Sequence, residues 1–162
     1  MRPVYVQGGP HGAVAGADWS WSPSTASPFK IRGVYGVLTS SATVASRQPA
    51  LYARTQDGET FFAKAVEATQ AASLTYGYSW SSGSGPAQGG SSAADALVSD
   101  GVPDWWLPAG TIVSVTTAGL SAGDQWSEVF GVFEVWNLLA EQQERRQLAG
   151  MIEGAISDLS LG

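Results

Sequence analysis

Between Trp126 and Trp136 the chain reads WSEVFGVFEVW, which puts large apolar side chains on both sides of any strand built from it. By the two-residue alternation of a strand, Trp126, Phe130, Val132 and Trp136 point one way, and Val129, Phe133 and Val135 the other. A strand of a two-sheet sandwich buries one face in the core, so the second face needs a cover of its own. The expected cover is a C-terminal helix of the same chain, neighbouring copies of it, or both. The candidate interface residues are therefore Trp126, Phe130, Phe133 and Trp136, together with Leu148, Ile152 and Ile156 of that helix.

The rest of the composition fits a protein with little bare surface. Of its 162 residues 44% are hydrophobic and only 14% charged, where a typical domain carries about 25% charged residues. Seven Trp residues sharpen the point, since Trp is enriched where proteins meet as well as in cores. The formal net charge is −6 and the only adjacent basic pair is Arg145-Arg146, so binding to nucleic acid through phosphates is disfavoured. No apolar run approaches the ~20 residues that cross a bilayer, and the N-terminus lacks the apolar centre of a signal peptide. The expectation is a soluble protein made in a cytoplasm, with no membrane partner. Zero Cys fits that compartment and removes disulfides and thiolate chemistry.

Along the chain three segments separate. Residues 1–28, rich in Gly and Pro, show no sustained period and predict an extended arm, within which PVYV is able to add a strand to a sheet edge, its own or a neighbour's. Trp19 and Trp21 alternate there as strand residues do and need cover. Residues 29–136 hold about six or seven short strands spaced by turn signals, which predicts a mainly β, antiparallel, jelly-roll-like sandwich. Gly33 and Gly36 mark a bulge or a close backbone approach in the first of these strands, and Asp57-Gly58 marks a hairpin. The stretch AADALVSDGVPDWW has room for one helical turn. Residues 137–162 predict an α-helix for packing or oligomer contact: Leu148, Met151, Ile152, Ala155, Ile156 and Leu159 form an apolar stripe, and Glu141 precedes Arg145 by one turn.

Groups able to do chemistry are few. His11 is the single His, in the Gly/Pro-rich segment, and no nucleophile motif accompanies it. Metal sites that need several His or Cys ligands are excluded, and no metal or cofactor is expected. Glu128 and Glu134 share a strand face but stand roughly 20 Å apart, too far for a paired-carboxylate hydrolase. Trp80, Trp105 and Trp106 are candidates for stacking on a sugar, although adjacent Trp residues on a strand face opposite ways. The reading is a protein that is not an enzyme.

Three short elements, Ala45-Ser46-Arg47, Pro108-Ala109-Gly110 and Gly123-Asp124-Gln125, each open a strand. With their surroundings from Phe29 to Trp136 they resemble a recurring kind of small virion protein of tailed bacteriophages. The resemblance implies a jelly-roll-like domain present in many copies on a particle assembled in the host cytoplasm. Its partners would be other copies of itself and a phage capsid, neck or tail protein. A capsid decoration or cement role is the leading expectation; the alternatives are a neck or tail component, or a carbohydrate- or receptor-binding module using exposed Trp residues.

Overall fold

A computed structural model of the chain describes residues 4–9, 12–82 and 95–136. Nine strands form there: β1 (Val4–Gly8), β2 (Ser20–Trp21), β3 (Phe29–Thr39), β4 (Gln48–Arg54), β5 (Thr60–Ala65), β6 (Thr75–Ser81), β7 (Ala96–Gly101), β8 (Ile112–Ala118) and β9 (Gln125–Val135). They make a five-stranded sheet in the order β1-β9-β3-β6-β7 and a four-stranded sheet in the order β2-β8-β4-β5. Apart from β7, the pairs are nested: β1 with β9, β2 with β8, β3 with β6 and β4 with β5, all antiparallel. This is the strand order of a jelly roll, a long double ribbon rolled into two facing sheets.

Alternation explains how the two sheets meet. Leu51 and Ala53 of β4 and Val113 and Val115 of β8 face Phe29, Ile31, Val34 and Leu38 of β3 in a single buried cluster. Tyr78 and Trp80 of β6 and Trp126, Val129 and Phe133 of β9 complete it. The aromatic members meet mostly edge to face or tilted, as between Phe29 and Phe133 and between Trp19 and Trp126. Two bulges in the β3–β9 pairing fall at the glycines marked in the sequence, between Ile31 and Gly33 and between Tyr35 and Val37. At the second, Gly36 lies against the Trp126 ring, where an added Cβ would come within 3.1 Å of it.

Several expectations need correction. The described part of residues 1–28 is no free arm: β1 pairs with β9 of the same chain and β2 with β8. Trp19, 3% exposed, and Trp21 find their cover in the core they help build. The stretch read as a helical turn forms β7, and this strand runs parallel to β6, so the five-stranded sheet is not wholly antiparallel. The Asp57-Gly58 hairpin is present, but its loop spans Thr55 to Glu59, with Gly58 at φ +90° where only glycine is unstrained. Residues 137–162, and with them the expected helix, lie outside the described residues.

A buried ion pair joins two corners of the roll. Arg47, just before β4, is 0% exposed and Asp124, just before β9, is 1% exposed. The guanidinium grips the carboxylate with two bonds, Nε to Oδ2 at 2.9 Å and Nη2 to Oδ1 at 3.0 Å. Two further hydrogens go to the carbonyls of Ala45 and Thr43, while Asp124 accepts from the Ser41 and Ser121 backbone amides and the Ser41 hydroxyl. Gly119, at φ +74°, lets the β8–β9 connection pass directly under the Ser46 carbonyl, a path closed to any side chain. Beside the pair, Gln70 is also fully buried; its amide donates to the Leu38 and Leu74 carbonyls and its oxygen accepts from Tyr78 Oη.

Burial alone raises the Asp124 pKa, but the bonds from Arg47, Ser41 and Ser121 outweigh it and bring the carboxyl from 3.8 down to about 2. A carboxyl whose pKa is lower folded than unfolded contributes in full above the unfolded value and loses that contribution as pH falls through the folded one. Acid titration of the wild type should therefore lose about 2 kcal/mol of stability from this group as pH drops from about 4 to 2. Asp124→Asn should cost about 3–5 kcal/mol in urea unfolding at pH 7, because it strands a buried guanidinium. The same variant should also lack the acid-sensitive step below pH 4; an unchanged acid limb would remove Asp124 as its source.

Candidate assembly surface

The question posed by Trp126–Trp136 has a structural answer in Glu128. This residue sits at φ +51° in the bulge opposite Gly36, where the strand carries an extra residue and its alternation resets. Trp126 before the bulge and Val129 and Phe133 after it all enter the core, at 1%, 1% and 0% exposure. Trp126 and Phe133, expected at an interface, are thus core residues. Their spacing of seven would put them on opposite faces of a regular strand, and a bulge cannot be read from alternation alone.

What stays outside is narrower but still apolar. Phe130 is 40% exposed and tilts against Tyr35 of β3 with ring centres 5.2 Å apart. Val132, absent from the core cluster, follows on the same side of β9. Tyr35 and Val37 also face away from the core, yet both are buried. Gly77 makes room for Tyr35: a Cβ there would meet Leu97 at 3.1 Å and the Tyr35 hydroxyl at 3.2 Å. Leu97 on β7 and Tyr5 on β1 stand exposed towards the two edges. The outer face of the five-stranded sheet therefore carries a strip of apolar side chains in which Phe130, Leu97 and Tyr5 are exposed around a buried centre of Tyr35 and Val37. Tyr35 and Val37 were not singled out in the sequence, although alternation from Gly33 onward was the available signal.

At one end the strip meets a charged, aromatic corner. Arg32 binds Glu134 through Nε and Nη2, and its Nη1 reaches Asp104 at 3.0 Å. Partial burial lowers the Arg32 pKa, but Glu134 and Asp104 more than reverse this, and the net shift is upward. Lys30 also pairs with Asp104 and lies over the Trp106 ring, which packs edge-on against Trp136. Trp136 thus ends the strip in contact with its own chain.

The remaining candidates divide. Trp80 is 0% exposed and stacked on Tyr78, so it offers no face to a sugar. Trp105 and Trp106 are 49% and 36% exposed, but one leans on Phe62 of β5 and the other on Trp136, and they form no common platform. Asp124 and Glu134 are engaged by arginines and Glu128 holds the bulge. Among the described residues no group of three or more His, Cys, Asp or Glu side chains is placed to hold a metal. His11, Leu148, Ile152 and Ile156 lie outside the described residues.

No protein-family model matches the chain, and no curated protein matches it. Among solved structures it is similar to the infectious bursal disease virus Gx strain structure, at 11% identity and a TM-score of 0.38 over 83% of this chain and 32% of that one. The Gt strain structure gives 16% and 0.34 over 83% and 31%, and the VP2 subviral particle of the same virus 15% and 0.31 over 83% and 32%. The chain spans about a third of the length of these proteins. At such identities and scores the likeness carries no argument about role, and the jelly-roll assignment rests on this chain's own strand order.

The division between core and surface on β9 is directly testable. Phe133→Ala should cost about 3–5 kcal/mol in urea unfolding, as large-to-small changes in a packed core do, whereas Phe130→Ala should cost less than about 1 kcal/mol. Similar losses for the two would mean that the bulge does not divide the strand as described.

Proposed function

We propose that this chain is a structural protein of a virus particle, most specifically a decoration or cement protein of a tailed-phage capsid. The observation that carries the reading is the apolar strip on the outward side of the five-stranded sheet, set on a jelly roll. A jelly roll already has a complete core between its sheets, so apolar residues on an outer face serve some further contact. The low charge of the chain and the resemblance of residues 29–136 to phage virion proteins support the same conclusion. A neck or tail component would use the same face against a different partner.

The proposed mechanism is mechanical. Apolar burial contributes about 25 cal/mol per Å², so a strip of this kind, repeated in many copies over a shell, adds cohesion without any single strong bond. A stable contact of this sort buries at least about 1,000 Å² in total, so it has to reach from Phe130 to the exposed Leu97 and Tyr5 near the sheet's edges.

Phe130 is the residue to test, because it is exposed on the strip and outside the core. Light scattering on the full chain should give a mass of more than one copy, or the chain should co-sediment with particles of its virus that lack it. Phe130→Asp should reduce that association by at least about tenfold, the cost of placing one charge in an apolar contact, while its melting temperature stays within about 3 °C of wild type. A wild-type chain that remains a monomer and ignores such particles would overturn the reading, as would a variant that assembles normally.

A further inference from the structure

The four-stranded sheet carries a different kind of surface. On its outer side Ser20 of β2, Ser114 and Thr116 of β8 and Arg54 of β4 share one face, Ser20 paired with Ser114 and Arg54 with Ile112, turned away from the core-facing Val113, Val115 and Ala53. They line a hollow of about 340 Å³, and a second hollow of about 300 Å³ adjoins it, Thr55 and Gln56 of the β4–β5 loop belonging to both. The second contains Phe61, whose ring is 39% exposed. Each hollow is near the lower end of the range for small-ligand sites.

Arg54 gives the groove its character. Its guanidinium lies 3.9 Å over the Tyr52 ring, and its Nε is buried without a hydrogen-bond partner. Among the described residues Lys30, Arg32, Arg47 and Lys64 each pair with a carboxylate, and Arg54 does not. Asp18 lines the same hollow, but its two oxygens are taken by Thr117 and the Trp126 indole. A planar cation is thus fixed in orientation, partly stripped of water and left without a counter-ion. That arrangement suits a carboxylate bound through two parallel hydrogen bonds.

The neighbours of Arg54 narrow the class of ligand. Hydroxyls of Ser20, Ser114, Thr116 and Thr55 and the Gln56 amide both donate and accept hydrogen bonds, matching a ligand with many hydroxyl groups. Phe61 presents an apolar ring face, suited to the C–H side of a sugar. An extended acidic peptide fits less well, because it binds along a free sheet edge and this groove crosses the face of a sheet. A ligand dense in carboxylates would also be repelled by the chain's net charge of −6. We propose that the paired hollows bind an acidic oligosaccharide, with one sugar carboxylate on Arg54 and a neighbouring ring over Phe61. This site shares no residue with the strip on the opposite sheet and does not depend on the virion role.

Calorimetric titration of the full chain at low salt tests it, using hyaluronan tetrasaccharide and sialyllactose as acidic probes. Chitotetraose serves as the neutral control and an Asp-Gly repeat peptide as the acidic peptide. At least one acidic sugar should bind, and chitotetraose should bind at least about tenfold more weakly for want of the charged pair. Arg54→Lys should weaken the acidic sugar about tenfold, because an ammonium cannot make the two-pronged bond, and Phe61→Ala about fivefold. Both variants should keep the wild-type melting temperature and state of association. Failure of both acidic sugars to bind would overturn the proposal. So would equal binding of the neutral sugar, an unaffected Arg54→Lys, or a peptide that binds as tightly as the sugars, which would make the groove a protein-docking site.

Discussion

The Arg47–Asp124 pair is the constraint around which the rest of the described structure is arranged. A jelly roll is a ribbon that must turn from one sheet to the other at each corner, and corners are where backbone polar groups lose their ladder partners. Here one guanidinium supplies the missing donors for the β3–β4 connection, through the Thr43 and Ala45 carbonyls. One carboxylate supplies the missing acceptors, for the Ser41 and Ser121 amides. Two ions so deeply buried would ordinarily be a poor source of stability, since desolvation offsets their attraction. Held by these further bonds at both ends, the pair instead fixes which corner lies against which, and so the register in which β9 enters between β1 and β3.

That same pair shows where sequence reasoning reaches its limit. Ala45-Ser46-Arg47 and Gly123-Asp124-Gln125 stand out as short elements opening strands, but nothing in a linear pattern says that the Arg of one meets the Asp of the other. Local signals read well: the Asp57-Gly58 turn and the glycines that stand at the two irregularities of β3 both follow from neighbours a few residues away. Signals that depend on a distant strand read poorly. The bulge at Glu128 is set by pairing with β3, and it turns an apparently two-faced strand into one that is mostly a core strand. β7 carries little alternation of burial-prone residues, because an edge strand needs few, and its parallel pairing with β6 is a tertiary fact.

The two sheets divide their outer surfaces by chemistry. One shows Phe130, Leu97 and Tyr5 around the buried Tyr35 and Val37, bounded by the Arg32–Glu134 corner; the other shows hydroxyls and an unpaired guanidinium. Contacts between sheet rims hold this arrangement in place, with Lys64 of β5 bound to Asp100 of β7 and Phe62 against Trp105. A shared core with differently furnished exteriors allows one face to be altered without disturbing the other.

The nesting of strand pairs has a consequence for how the chain comes to be folded. β9 is laid down last of the nine strands yet sits inside its sheet, between β1 and β3, so until it has been made β1 has no partner and β3 has only β6. During synthesis β3 waits with one rim bare and its aromatic side chains uncovered, a long-range pairing that forms slowly and leaves the unfinished chain prone to stick to others. Yield from the ribosome, rather than ruggedness once complete, is therefore where this architecture is most exposed.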